Sequence, residues 1–403
     1  MRKGRSLIEV LRYRRRPPNL SPTAGADIEW WFIQGRLHGA TLGQRHVMAA
    51  FFMMRSTSCD GPGGAMLLQH SVDDATGADW MDSRVTEPTV AHHAHIADRV
   101  IAGSFPWPLR PLARRRHFAE IRLSVQRRGI AVGTDEPELY TRPFCIAWNG
   151  FRLAETADGF ALRAGLAHGV SAELSLAMQG SWLDERSDTL NPDYGTAEFS
   201  YQCCPRLIAE GTVDGSPVMG DFWIDRQWGK YDGWLLSPVE TGYRVLGWDW
   251  LGLNLEDGSD LLVNLHRDAA SGRLILSFGI CFENGVPRRL STAKAIPERY
   301  WISPATGARY PVEWHLSVPE LELEARITPV CDDQEIPVYG TVAVWEGAVR
   351  LQGTRSGATI AGRGRLELAG YGAPLTIAEH LRRSFRRVVT DVSAGLGIRR
   401  EKG

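Results

Sequence analysis

The chain has 403 residues, which is long enough for two or more domains that each bury a core of their own. A hydrophobic fraction of 43% and a charged fraction of 23% are ordinary for a globular protein. The formal net charge of -1 provides no general attraction to nucleic acid, so a nucleic-acid partner is not expected. Fourteen tryptophans and 42 glycines are typical of strands joined by tight turns.

The compartment expected from the sequence is the cytoplasm. The apolar stretch after the basic N-terminus is too short for a secretion signal, and the longest apolar run, residues 47–54, is too short to span a bilayer. Six cysteines are scattered without a C-x-x-C pair, which favours reduced thiols and argues against a zinc site. They are Cys59, Cys145, Cys203, Cys204, Cys281 and Cys331.

Short apolar runs alternate with dipeptides that type I′ hairpin turns require. These dipeptides are Asp60-Gly61, Asn149-Gly150, Asp158-Gly159, Asp214-Gly215, Asp257-Gly258 and Asn284-Gly285. Around residues 257–258 the flanks alternate, which predicts an antiparallel hairpin with one apolar face formed by Leu251, Leu253, Leu255, Leu261, Val263 and Leu265.

Helical periodicity is nearly absent except over residues 377–392, where apolar residues at helical spacing are surrounded by arginines. We therefore predict an all-β protein with a short C-terminal helix. The predicted organisation is a basic tail over 1–24, an N-terminal domain over 25–228, a C-terminal domain over 229–375, and a basic amphipathic helix and tail over 376–403.

The most informative segment is residues 220–229, which places Asp225 between Trp223 and Trp228 in a strand-like run. A carboxyl in apolar aromatic surroundings has a raised pKa, and tryptophan faces can stabilise a cation, so the segment suits acid chemistry on a carbon–carbon double bond. Since neighbours alternate along a strand, Trp223 and Asp225 share one face. The alternative interpretation is a structural one, with both tryptophans in a core and Asp225 paired to Arg226 or capping a turn.

The pattern G-x-x-W-x-D-x-x-W-G over residues 220–229 resembles the signature of the hydroxyneurosporene synthase (carotenoid 1,2-hydratase) family and its AttH-like lipocalin relatives. Three further segments agree in order: residues 29–32 with Gly35, residues 247–250 with 257–258, and residues 345–349 with 370–371. The resemblance covers about residues 27–372 and implies two lipocalin-like β-barrels packed together. The chain looks nearer the AttH-like branch, whose relatives include pericyclases and cyclases.

The resemblance implies a cofactor-independent enzyme of isoprenoid or polyene metabolism that hydrates or cyclises an alkene in an aromatic-lined cavity. Asp225 would be the acid, with Trp223 and Tyr201 as its aromatic neighbours, and Glu29 and Asp249 are alternative acids. The cavity would be lined by Trp30, Trp31, Phe199, Trp228, Tyr243, Trp248 and Trp250. A pericyclase that only folds a polyene, and a carrier that only binds lipid, remain alternatives.

Motifs for other chemistry are missing, since no P-loop, dinucleotide fingerprint, G-x-S-x-G or H-E-x-x-H is present, and no cofactor is expected. His92, His93 and His95 form a cluster in which an H-x-H pair on a strand would share one face, but no third ligand is identifiable and no metal is expected. The expected partner is an apolar unsaturated small molecule. The arginines of residues 110–128 and the basic termini could contact anionic lipid headgroups, and the termini predict a weak peripheral membrane contact. A solvated face and ragged tails are the favoured explanation of these charges.

Overall fold

The computed structural model describes residues 13–55, 64–185, 199–229, 236–239, 242–269, 271–291, 293–339 and 343–371. Strands make up 65% of the chain and helices 10%, so the all-β prediction is confirmed. Two curled, antiparallel half-barrel sheets form the molecule, as expected for lipocalin-like domains. Among these residues no helix combines the length and the apolar character needed to cross a bilayer.

The first sheet contains fourteen strands in the described part of the chain, in the order β6-β5-β4-β3-β2-β14-β13-β11-β10-β9-β8-β7, with β12 on β13 and β1 on β12. Neighbours run antiparallel except β5 and β6. The strands are β1 (Tyr13–Arg14), β2 (Ile28–Gly39), β3 (Gly43–Met54), β4 (Gly64–Asp73), β5 (Asp79–Thr86), β6 (Ala131–Gly133), β7 (Glu138–Thr141), β8 (Phe144–Trp148), β9 (Phe151–Glu155), β10 (Gly159–Ala167), β11 (Val170–Met178), β12 (Trp182–Glu185), β13 (Phe199–Val213) and β14 (Ser216–Gly229).

The second sheet contains eleven described strands in the order β19-β18-β17-β16-β25-β24-β22-β21-β20, with β15 on β16 and β23 on β24. Its strands are β15 (Leu236–Val239), β16 (Gly242–Leu255), β17 (Asp260–Asp268), β18 (Leu274–Glu283), β19 (Val286–Leu290), β20 (Lys294–Ile302), β21 (Arg309–Val318), β22 (Leu323–Pro329), β23 (Glu335–Ile336), β24 (Val344–Arg355) and β25 (Ala358–Ala369). Short 3-10 turns occur at Trp107–Leu109 and Pro319–Leu321.

A helical hairpin interrupts the first sheet between β5 and β6, and the sequence interpretation did not foresee it. It consists of α1 (Glu87–Ser104) and α2 (Arg110–Arg128). Among the described side chains of α1 the buried apolar ones are Ala97 and Ile101, and α2 is dominated by arginine, so neither helix has a strong apolar period. The helix predicted over 376–403 lies outside the described residues.

Three predicted hairpin dipeptides have positive φ at both residues, as type I′ turns require: Asn149-Gly150, Asp214-Gly215 and Asn284-Gly285. At Asp257-Gly258 only the glycine has positive φ, and Gly159 is extended, with φ of 159°, so these two are not type I′ turns. The β16–β17 hairpin nevertheless forms, and its six alternating apolar residues lie together in the core of the second domain. Asp60-Gly61 lies outside the described residues.

The buried apolar residues form three layers, because each sheet is covered on both faces. One face of the first sheet encloses a core that includes Trp31, Phe222 and Ile224. One face of the second sheet encloses a core that includes Leu251 and Leu366. The outer faces of the two sheets pack against each other in a third layer, here called the interdomain layer, which includes Trp30, Phe32, Tyr201, Trp223, Trp250, Phe278 and Phe282.

Several polar contacts tie the domains together, and two of the residues that make them are arginines. The Arg206 guanidinium, on β13, donates to Asp260 Oδ1 of the second sheet from both Nε at 3.0 Å and Nη2 at 2.7 Å. Arg350 of β24 pairs with Asp74 beyond the end of β4, at 3.2 Å between Nη2 and Oδ1. These contacts fix the relative position of the two outer faces.

Candidate functional site

Asp225 lies in the interdomain layer. On β14 the side chains of Phe222 and Ile224 enter the core of the first domain, so Trp223 and Asp225 face the second domain, as strand alternation predicted. Asp225 is only 4% exposed. Its strand neighbours in register are Cys203 on β13 and Phe32 on β2, which contribute no charge.

An aromatic cluster surrounds this position from both domains. The rings of Trp223 and Trp250 meet edge to face, with centroids 5.6 Å apart and an angle of 90°. Phe282 approaches Trp223 at 6.1 Å, and Phe32 approaches Trp250 at 5.6 Å. Faces and edges of indole and phenyl rings therefore define the surroundings of the carboxyl, and such faces stabilise positive charge.

Tyr201 is the polar partner of Asp225 within the first domain. Its hydroxyl donates to Asp225 Oδ2 at 3.3 Å, and the ring is buried in the interdomain layer. The pKa of Tyr201 is raised well above its usual value, because burial and the adjacent carboxyl both oppose a phenolate. Tyr201 therefore acts as a hydrogen-bond donor at neutral pH.

Two further carboxyls face Asp225 from the second sheet. Glu346 on β24 and Glu367 on β25 are partners in register, and Trp250 on β16 is the other partner of Glu367. The indole nitrogen of Trp248 donates to Glu367 Oε1 at 2.8 Å. We call Asp225, Glu346 and Glu367 the acid cluster.

One buried cation accompanies the acid cluster. Arg365 projects from the same face of β25 as Glu367, is 1% exposed, and donates from Nη1 to the carbonyl of Glu346 at 2.5 Å. Burial lowers the pKa of Arg365 to about 10, and the two glutamates oppose this shift. Arg365 thus compensates Glu346 and Glu367 but not Asp225, so ionising all three carboxyls would carry a large electrostatic cost.

The pKa values of the acid cluster follow from this arrangement. Burial raises the pKa of Asp225 well above its usual value, Glu367 raises it further, and Tyr201 and Trp223 oppose the shift. Burial also raises the pKa of Glu367 to about 7, against the opposing effects of Trp248 and Arg365. The pKa of Glu346 is likewise raised, by burial and then by Glu367. Burial and the neighbouring carboxyl therefore favour the protonated form of Asp225 over the carboxylate.

Polar atoms without partners lie in the same layer. Gln34 stands in register with Trp223, and its Nε2 has no hydrogen-bond partner within the described chain; the same holds for Oε2 of Glu346. His70, in the same cross-strand row, is fully buried, and burial lowers its pKa, so that it is neutral. Buried polar atoms of this kind are usually satisfied by water or by a ligand.

The predicted cavity residues divide between two faces. Trp30, Trp248 and Trp250 belong to the interdomain layer with Asp225. Trp31 and Trp228 do not: both contact Arg226, whose guanidinium carbon lies 5.6 Å and 4.4 Å from their ring centroids, on the opposite side of the sheet. The expectation that Trp228 stands beside Asp225 is therefore wrong, because residues three apart on a strand face opposite ways. The side chains of Phe199 and Tyr243 lie outside the described part.

The alternative acids occupy structural ion pairs in the domain interiors. Glu29 accepts from Arg226 Nε at 2.7 Å and from the Thr23 amide at 2.8 Å. Asp249 accepts from Tyr371 at 2.9 Å and from Arg267 Nε at 3.3 Å. Arg226 is thus the partner of Glu29 and not of Asp225, which removes the structural interpretation in which Asp225 neutralises its neighbour.

The histidine cluster lies on α1 and not on a strand, so the expected H-x-H geometry does not arise. His93 instead stacks on His117 of α2, with 3.2 Å between their Nε2 atoms, and meets the ring of Tyr339 at 5.6 Å. Burial and the neighbouring histidines lower the pKa of His93 to about 3. Within the described residues no group of three or more histidine, cysteine or acidic side chains is arranged to hold a metal ion.

Sequence reasoning missed Glu346, Arg365 and Glu367 as site residues. In residues 364–368 charged side chains alternate with leucines, a pattern that ordinarily indicates a strand with one solvated face. Here the second face is covered by the other domain. The available signal was Glu346 itself, which stands between Trp345 and Gly347 in one of the segments that carry the family resemblance.

Two curled β-sheets joined over a buried acid cluster and an aromatic layer define the class of protein, and comparisons with known proteins agree. The profile of the AttH-like family matches residues 14–371. The chain belongs to the AttH-like family. No curated protein matches it.

Solved structures show the same fold. A Nitrosomonas europaea protein assigned as an AttH aligns with a TM-score of 0.62 at 22% identity, covering 89% of this chain and 98% of that one. The kievitone hydratase of Nectria haematococca aligns with a TM-score of 0.55 at 12% identity, covering 88% of this chain and 92% of that one. The two-domain lipocalin-like architecture is thus shared across most of each chain.

Proposed function

We propose that this protein is a hydratase-type lyase that adds water across a carbon–carbon double bond, with Asp225 as the proton donor and no cofactor. The observation that carries the proposal is the burial of Asp225, 4% exposed, in an aromatic layer opposite Glu367, an environment that favours the protonated carboxyl. Membership of the AttH-like family and the fold shared with a hydratase support the reaction class.

The proposed step transfers the Asp225 proton to one alkene carbon, which leaves a cation on the other. The ring faces of Trp223 and Trp250 stabilise that cation. Water then bonds to the cationic carbon and loses a proton to the Asp225 carboxylate, so that the net change is the addition of one water molecule. Tyr201, which holds Oδ2, orients the carboxyl throughout.

The finer proposal concerns the substrate. An apolar layer lined by tryptophan, phenylalanine and methionine side chains from both domains suits an unsaturated isoprenoid or polyene, with Gln34 and His70 available to its polar end. If an internal double bond rather than water traps the cation, the same acid would catalyse a cyclisation. If water traps it and the substrate is a carotenoid, the reaction would be a carotenoid hydration.

A pericyclase is the second candidate, favoured by the number of aromatic rings that shape the interdomain layer. Its rate would come from folding the substrate so that the reacting carbons meet, without proton transfer. A carrier would bind the same ligand and leave it unchanged.

The test combines one isosteric variant with labelled solvent. A panel of isoprenoid and polyene alkenes is offered to the wild type, to Asp225→Asn, and to the control Asp221→Asn on the same face of β14. We expect Asp225→Asn to bind ligand and to lose about 10² to 10⁴-fold in turnover, the usual contribution of a general acid. In deuterated water the product should carry deuterium at the protonated carbon.

Other outcomes decide between the alternatives. Full turnover by Asp225→Asn with no solvent deuterium in the product would reject the acid mechanism in favour of the pericyclase. Binding without turnover by the wild type across the panel would favour the carrier.

A further inference from the structure

The turn between α1 and α2 exposes an unusual set of apolar side chains. Trp107 is 78% exposed, Leu109 41% and Leu112 50%, and Trp107 is the most exposed of the large hydrophobic residues in the described chain. Pro106 precedes Trp107, and Pro108 and Pro111 stand between the three apolar residues; each proline fixes its own φ and so restricts the backbone of the tip. One tryptophan and two leucines exposed together on a projecting tip form an apolar patch, and such patches mark sites of interaction with proteins or membranes.

The helix that follows this tip carries strong positive charge. In α2 there are seven arginines against one glutamate, whereas the whole chain has a net charge of -1. Arg114, Arg115 and Arg122 are exposed. Exposed tryptophan and leucine next to exposed arginine is the composition of segments that lie at the surface of an anionic bilayer.

The tip is held in a fixed position. Arg110 donates from Nη2 to the carbonyl of Ala102 at 2.7 Å and from Nε to that of Phe105 at 3.0 Å, which closes the end of α1. Arg114 bridges the two helices by donating to Asp98 at 2.7 Å. These hydrogen bonds fix the backbone that carries Trp107 before any surface is bound. Less conformational entropy is therefore lost when the tip docks.

The base of the same hairpin lies beside the interdomain layer. Val90 on α1 and Val125 on α2 pack against that layer, and His93 contacts Tyr339 of the second domain. Thr89 hydroxyl donates to the carbonyl of Ala65 on β4 at 2.8 Å, which fixes α1 to the sheet. The base of the hairpin is thus fixed to the interdomain layer, whereas the tip lies at the far end of α1, about 27 Å along the helix axis.

We propose that the tip of the α1–α2 hairpin docks the protein on an anionic membrane surface. Trp107, Leu109 and Leu112 insert among the lipids, and the exposed Arg115 and Arg122 contact lipid phosphates. Insertion is shallow and interfacial. Docking holds the protein at the surface of the membrane in which an apolar ligand would be dissolved.

The experiment measures co-sedimentation of the full chain with vesicles of phosphatidylcholine, with or without phosphatidylglycerol. The wild type should bind the vesicles that contain phosphatidylglycerol, and raised salt should weaken the binding because it screens the arginines. Trp107→Ser should lower the partition coefficient by about tenfold, the value of burying one large apolar side chain. Arg115→Gln should lower it by about fivefold, since one basic residue near such a surface contributes about that factor.

Matched controls separate docking from general surface effects. Ile302→Ser removes an apolar side chain that is 63% exposed on β20, and Arg273→Gln removes an exposed arginine before β18; neither should change binding. Equal binding of the two vesicle types, absence of binding to both, or full binding by Trp107→Ser would each overturn the proposal. Turnover of a water-dissolved alkene by Trp107→Ser should stay at the wild-type rate, so this test is independent of the proposed reaction.

Discussion

The titration of Glu367 reports the charge of the acid cluster. This residue faces Glu346 across the strand pair, accepts a hydrogen bond from Trp248, and has its pKa raised to about 7 chiefly by burial. Like charges in register destabilise a sheet, so the fold favours the form in which Glu367 carries a proton. The same proton limits how much negative charge Asp225 experiences.

This predicts a pH dependence of stability. Because the pKa of Glu367 rises from 4.5 to about 7 on folding, its stabilising contribution is complete below pH about 4.5 and disappears as the pH rises through about 7. The loss is on the order of 3 kcal/mol, the free energy that corresponds to the shift. Urea unfolding of wild type and Glu367→Gln over this range should show a fall in both proteins, because Asp225 and Glu346 also have raised pKa values. The fall in Glu367→Gln should be smaller than that of the wild type by about 3 kcal/mol.

The control for this prediction is Glu210→Gln, which removes an exposed carboxyl of β13 and should leave the wild-type dependence intact. If Glu367→Gln retains the full wild-type fall in stability, then Glu367 does not titrate in this window and the acid cluster has a different charge distribution.

At the scale of the strand, one glycine determines how Trp250 lies. A Cβ added at Gly252 would stand 2.3 Å from Cη2 of Trp250, so the indole extends along β16 over the position of that missing side chain. The ring thereby reaches Trp223 and Phe32 in the first domain. Glycine at 252 is a requirement of the interdomain contact and not of backbone conformation.

We therefore predict that Gly252→Ala displaces the Trp250 ring and lowers stability by about 1 to 3 kcal/mol, the usual cost of overpacking. The near-ultraviolet circular dichroism of the tryptophans should change at the same time. The double variant Gly252→Ala with Trp250→Phe should recover part of the stability, since the smaller ring leaves room. Gly180→Ala, where the nearest atom is 3.9 Å away, should be silent, and an equal loss there would contradict this account.

The helical hairpin shows a limit of reading periodicity at this scale. Its arginine-rich second helix was explained as a solvated face, and its first helix lacks a wide apolar stripe, so no helix was predicted there. Packing against β4 holds α1 in place. A Cβ added at Gly64 would lie 2.3 Å from Oγ1 of Thr89, so α1 approaches the strand too closely for any side chain at this position. Tertiary contact stabilises the helix where amphipathic pattern does not.

For the whole molecule, the site depends on the two sheets keeping one relative position. Arg206 joins them through Asp260, with a further contact from Nη2 to the carbonyl of Leu255 at 3.2 Å. Burial raises the pKa of Asp260 to about 6, and Arg206 opposes this rise. The guanidinium therefore compensates the buried negative charge of Asp260. Loss of one partner would leave the other incompletely solvated.

We predict that Arg206→Ala lowers the free energy of unfolding by about 2 to 4 kcal/mol, as expected when a largely buried ion pair loses one partner. Activity should fall with it, because the acid cluster needs both faces in place. Arg163→Ala breaks the exposed pair with Glu173, whose side chains are 50% and 59% exposed, and should cost about 1 kcal/mol or less. Similar losses for the two variants in urea unfolding would show that Arg206 has no special role between the domains.

The sequence by itself determined the all-β class, because alternating leucines and turn dipeptides such as Asn284-Gly285 act locally and their effects do not depend on distant residues. It also determined that Asp225 and Trp223 share a face, since strand alternation is a property of the backbone. The family resemblance carried by the tryptophan segments gave the architecture.

Only the tertiary structure decided what lies opposite that face. Glu346, Arg365 and Glu367 occupy positions that look solvated along their own strands, and they become a buried acid cluster because a second sheet, over a hundred residues away in sequence, covers them. Tertiary packing also directs Arg226 to Glu29. The pKa of a carboxyl depends on its neighbours in space, and these neighbours are set by how two sheets meet, which no single strand encodes.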